Sequence, residues 1–274
     1  MKQRIIIIGI GILLTGLLTA CGSPKTAGNW KPWAPLSEEP SENGQDAENM
    51  EISDGYGAEG AQAEGEGAEE LVQDTDPQAL QELAVYEREQ YLCQTAVQIR
   101  GTKYLGSGVI WAAEEEYLVI ATAAHVTEGN EPLTVQFALG EPLEAELRLA
   151  SAQVDLAFLQ IELEKVQNME ISWQVARQNK EVCEKLAAGE ELMIMGSIEE
   201  TADRIYSGSV TESWIYVEDF DNYMLLGHAY AIPGVSGGGV FTTEGILVGI
   251  LCGGNDEDEI AVLPWSVMEA NYVR

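Results

Sequence analysis

Apolar residues along this chain follow three patterns. From Ile5 to Leu18 they are almost continuous, IIIIGIGILLTGLL. From residue 22 to 76 they are sparse and keep no period. After that, DPQALQELAVYEREQYL (Asp76–Leu92) opens on Asp and Pro and places Leu80, Leu83 and Ala84 at helical spacing, which predicts one helix. From Ala96 onward the period becomes two. The short β-prone runs AVQIR, SGVIWA, YLVIAT, LTVQFAL, LAFLQI, ELMIMG, SGSVTESWIYV, YMLLGHAY, GGVF, GILVGIL and EIAVLP are separated by turn residues. Many short strands at close spacing predict an all-β barrel or sandwich over residues 77–274. That stretch is long enough for two packed barrels.

Charge divides the chain in the same places. The sequence holds 46 acidic and 14 basic residues, a formal net charge of −32, which argues against nucleic acid and anionic membrane surfaces as electrostatic partners. Fourteen of the acids lie between Glu38 and Asp76, with no Lys, Arg or His among them. Residues 21–76 therefore read as a disordered acidic linker. As a flexible coil, 55 such residues reach about 40 Å, and charge repulsion extends them. Ahead of it, Lys2 and Arg4 precede an apolar run too short for a membrane span, so residues 1–20 read as a signal peptide. Its end, Leu18-Thr19-Ala20-Cys21-Gly22, resembles a bacterial lipobox, which implies lipid attached to Cys21 on the outer face of the cytoplasmic membrane. The length of the acidic linker points to a Gram-positive cell surface.

The densest candidate chemistry is AIPGVSGGGVF (Ala231–Phe241), where four glycines surround Ser236. Glycine gives up the most backbone entropy on ordering, so such a cluster marks either a turn or a nucleophile loop. A serine needs a base, and the chain has two histidines, His125 and His228. His125 follows an apolar strand and two small residues in VIATAAHV. Asp155, at the mouth of the strand DLAFLQI, can orient an imidazole. GVSGG also fits the nucleophile elbow of α/β-hydrolases, but that elbow needs its histidine after the serine, and none follows Ser236.

TAAHV, DLAFLQI and GVSGG in this order resemble the chymotrypsin-like serine peptidases, and among them the bacterial HtrA/DegP-like branch. GSGVIW, SGSVT, GILVGIL and IAVLPWSVM are similar to further elements of that family. The resemblance covers most of 96–274. It implies two packed six-stranded antiparallel β-barrels, with the N-terminal helix and a short C-terminal helix beside them. It assigns His125 as general base, Asp155 as its orienting partner and Ser236 as nucleophile, with the N–H groups of Gly234 and Ser236 as oxyanion hole. The substrates it implies are proteins or peptides, with no cofactor and no metal.

Two departures change the picture. Relatives carry Asp or Asn before the nucleophile; Val235 stands there and can only pack. Where trypsin-like enzymes place an acid that captures Lys or Arg, this chain has Tyr230. With Ile232 nearby and Leu251, Cys252 and Gly253 on the strand that lines the pocket in relatives, small or medium apolar side chains are the expected preference. Only six residues follow Met268, so no C-terminal PDZ domain is expected. The residues leave the pairing of Cys93, Cys183 and Cys252 open. Val235 also sustains an alternative, a catalytically weak or inactive peptidase fold serving as a binding or sensor module.

Overall fold

The computed structural model describes residues 31–32, 36–37, 77–138, 140–196, 204–230 and 234–272. The signal peptide, Cys21, the acidic stretch 38–76 and Ile232 lie outside the described residues.

Two dipeptides, β1 (Lys31–Pro32) and β2 (Leu36–Ser37), come first, followed by the helix α1 (Pro77–Thr95). The first barrel comprises β3 (Ala96–Arg100), β4 (Tyr104–Ala113), β5 (Tyr117–Thr122), β6 (Leu133–Gln136), β7 (Leu143–Ser151) and β8 (Leu156–Glu162). The helical turns α2 (Ala124–Thr127) and α3 (Leu163–Gln167) belong to it. After α4 (Lys180–Lys185) the second barrel comprises β9 (Glu191–Gly196), β10 (Arg204–Val217), β11 (Asn222–Ala229), β12 (Gly239–Thr242), β13 (Leu247–Gly254) and β14 (Glu259–Pro264), with α5 (Trp265–Asn271) closing the chain.

Every pairing within the barrels is antiparallel. The first runs β4-β3-β6-β7-β8-β5 and closes through β4–β5; the second runs β13-β12-β9-β10-β11-β14 and closes through β13–β14. These are the two six-stranded barrels expected from the sequence. Closure removes the edges of a sheet, so the edge segments that remain open acquire significance. Within the stretch expected as linker, β1 adds to β13 and β2 adds to β4.

Burial explains why the second barrel reads as unbroken apolar blocks. Leu192 and Ile194 of β9 point into one core with Val240, Val248, Leu251, Ile260 and Val262. Their neighbours Met193 and Met195 join Phe241, Ile250 and Leu263 in a core continuous with the first barrel. Both faces of these strands are therefore covered, and alternation disappears. β7, absent from the predicted strands, shows the opposite: Glu144 and Glu146 are exposed, and none of its residues is fully buried.

Candidate active site

The first barrel supplies an imidazole and a carboxylate from two strand ends. β5 runs into the single turn α2, which carries His125. Asp155 sits just before β8 with φ +52°, a left-handed conformation that Asp tolerates through its short polar side chain. That conformation brings its carboxylate to His125 three ways. The backbone N–H of His125 donates to Oδ1 at 3.0 Å, and the ring Nδ1 lies 3.0 Å from Oδ1 and 2.9 Å from Oδ2. Nδ1–H donation to a carboxylate leaves Nε2 as the basic nitrogen. Nε2 is buried and has no hydrogen-bond partner.

The turn bearing His125 is itself tied down by Asn130, which is fully buried. Its Oδ1 accepts from the N–H groups of Lys103 (2.8 Å) and Tyr104 (3.0 Å). Its Nδ2 donates to the carbonyls of Tyr104 (3.1 Å) and Val126 (2.9 Å). All four of its bonding positions are filled. Its sequence context, TEGNEP, does not single it out.

Ser236 comes from the second barrel, on the loop before β12. The loop is anchored across the seam by Ser107 of β4, whose N–H donates to the Ser236 carbonyl and whose Oγ donates to the Gly234 carbonyl, both at 2.8 Å. Thr122 Oγ1 donates in turn to the Ser107 carbonyl at 2.7 Å. Gly234 has φ +95° and Gly237 φ +82°, conformations that favour glycine. A Cβ on Gly237 would lie 2.1 Å from Thr122 Oγ1 and 2.3 Å from the Ser107 carbonyl oxygen. The glycine after Ser236 makes room for the other barrel. It also places Ser236 beside the Thr122–Ala123 segment that leads into His125.

Val235 is fully buried in the core of the second barrel. It packs so closely on Gly196 that a Cβ there would come within 2.6 Å of Val235 Cγ1. The loop is thus fixed by packing on one side and by Ser107 on the other. Ser236 is also fully buried. Because Nε2 has no hydrogen-bond partner, the serine-to-imidazole bond is not made in this arrangement.

Of the expected pocket residues, Tyr230 is exposed, at 69%. Leu251 and Cys252 are fully buried, so their side chains belong to the cores. Gly253 offers its backbone, in register with Pro32. Cys252 lies beneath the site, its Sγ 3.8 Å from the Asp155 carbonyl oxygen. Burial first, and the Asp155 charge second, push this thiol well above the ordinary range. None of Cys93, Cys183 and Cys252 forms a disulfide. Among the described residues, no group of three or more His, Cys, Asp or Glu side chains could hold a metal ion.

The comparisons agree with this architecture. The crystal structure of a serine endoprotease from Yersinia pestis superposes with a TM-score of 0.55 at 22% identity, covering 68% of this chain and 64% of that one. An M. tuberculosis H37Rv protein, solved as an inactive serine-to-alanine mutant, superposes with a TM-score of 0.54 at 19% identity, covering 73% of this chain and 93% of that one. At such identities the likeness establishes the fold. No curated protein matches the sequence. Residues 106–250 match the family model described as the trypsin-like peptidase domain, a match that spans β4 to β13 and contains His125, Asp155 and Ser236. The chain therefore belongs to the trypsin-like peptidase domain family.

Proposed function

We propose that this protein is an exported serine endopeptidase, anchored to the outer face of the cytoplasmic membrane by lipid on Cys21. The observation that carries the reading is the His125–Asp155 pair, with Nε2 unbonded, beside a serine loop braced from the same barrel. Nε2 would take the proton from Ser236 Oγ as the oxygen attacks the scissile carbonyl. The imidazolium would then return that proton to the leaving amine, and water would release the acyl group from Ser236 by the reverse path. The N–H groups of Gly234 and Ser236 are the candidate donors to the oxyanion, each worth about 3 kcal/mol in such sites. The missing serine-to-imidazole bond is compatible with this chemistry, because such bonds often tighten only when substrate binds. Tyr230 in place of an acid supports preference for an apolar rather than a basic side chain.

A second reading, a binding or sensor module on a peptidase fold, is favoured by two observations: Val235 packs instead of hydrogen-bonding, and Ser236 is inaccessible. Labelling residues 22–274 with a fluorophosphonate separates the two. A covalent adduct lost in Ser236→Ala and in His125→Ala supports the peptidase, and absence of any Ser236-dependent adduct supports the binding module. Incorporation of a fatty-acid analogue in cells, abolished by Cys21→Ala, tests the anchor.

A further inference from the structure

Both barrels leave a strand edge open next to Ser236. On β13, β12 pairs only as far as Ile250. Leu251 is then bonded by the serine loop: Gly237 N–H donates to its carbonyl at 2.8 Å, and its own N–H donates to the Gly238 carbonyl at 2.9 Å. Beyond it, Gly253 and Gly254 pair with β14 on one side, and β12 does not extend along their other side. On β4, β3 covers one edge from Leu105 to Val109, while β5 covers the other only from Val109 onward. Ser107 uses the uncovered edge to hold the Ser236 carbonyl. Leu105 is left open just beyond it, whereas the N–H and carbonyl of Tyr104 are taken by Asn130 and Gly101.

The chain fills both edges itself. Lys31 and Pro32 are in antiparallel register with Gly254 and Gly253, and Leu36 and Ser37 with Leu105 and Tyr104. An extended segment that adds a strand to an open edge is a recurrent mode of peptide recognition. Three residues join the two dipeptides, so Pro32 and Leu36 are at most about 14 Å apart, and one short stretch of chain adds a strand to each barrel. Pro32 restricts Lys31 to extended backbone. Lys31 is in register with the last residue before the acidic turn that contains Asp256, Glu257 and Asp258. Strands of two residues do not persist alone. A covalent tether raises their effective concentration to the order of millimolar.

We propose that Lys31–Pro32 and Leu36–Ser37 together are the resident ligand of the peptide groove between the two strand edges flanking Ser236, and that an extended peptide substrate binds only by displacing them. The inference rests on reading this groove as the substrate groove of a peptidase. It is tested on the full-length chain in detergent, with a site-specific protease recognition sequence inserted between residues 55 and 60. Cutting there leaves the folded protein intact and turns the tethered ligand into a free one. On cutting and dilution, KM for an extended peptide substrate is expected to fall about tenfold at constant kcat. Amide exchange at Gly253–Gly254 and at Leu105 should accelerate together. A synthetic peptide of residues 29–39 should reverse both changes, and Lys31→Glu in the uncut chain should lower KM in part. Unchanged exchange and unchanged KM after cutting overturn the proposal, even if a fluorophosphonate labels Ser236. Accelerated exchange with no Ser236 adduct before or after cutting upholds the resident ligand and overturns the peptidase reading instead.

Discussion

The two barrels hold their contributions to the site by different physics. In the first, His125 is fixed by polar bonds: two carboxylate oxygens, its own backbone N–H, and Asn130 beneath its turn. In the second, Ser236 rides on a loop fixed by apolar contact through Val235 and by Ser107 reaching over from the other barrel. Buried polar bonds are directional and specify one geometry. Apolar packing fixes position while tolerating small rotations of the backbone. The difference teaches that the candidate base is preset, whereas the candidate nucleophile depends on how the barrels dock. The unmade serine-to-imidazole bond lies at the junction of these two regimes.

Four substitutions break or sharpen this contrast. The largest effect is expected from Asp155→Ala, which removes both oxygens from Nδ1; kcat should fall about ten-thousand-fold, as when such a triad loses its orienting acid, with little change in KM. Asn130→Ala strands backbone groups of Lys103, Tyr104 and Val126. It should lower stability by about 3 kcal/mol in urea unfolding, with kcat falling alongside. Val235→Ala opens a cavity beside Gly196 and should cost about 2 kcal/mol. If the loop is held by packing, kcat also drops while fluorophosphonate still labels Ser236 slowly. A variant that loses stability but keeps full kcat would show that Ser107 alone positions the loop. Ser107→Ala removes one side-chain bond, to the Gly234 carbonyl, and keeps the backbone bond to Ser236; roughly 1 kcal/mol, or about fivefold in kcat, is expected.

The sequence displayed chemistry wherever residue type and order carried it. Two histidines, an acid at a strand mouth and a glycine-flanked serine could be identified without coordinates, because few side chains perform these tasks. The strands of the second barrel were legible as β-prone blocks, since burial on both faces selects apolar residues throughout. β7 was not legible, because its charged outward face imitates a polar loop. The supporting residues Ser107, Thr122 and Asn130 gave no signal, since a serine, threonine or asparagine that bonds to a distant backbone looks the same in sequence as one that faces water.

What the chain alone determined, then, is which groups are available and in what order they occur: the all-β strand content, the candidate imidazole, carboxylate and hydroxyl, and the position of Val235. Tertiary structure decided which of them meet. It brought Nδ1 to Asp155 across thirty residues, set Gly237 against Thr122, and left two strand edges open for Lys31–Pro32 and Leu36–Ser37. Contacts of that kind depend on register and barrel docking. These are global properties of packing, and no local pattern of residues encodes them.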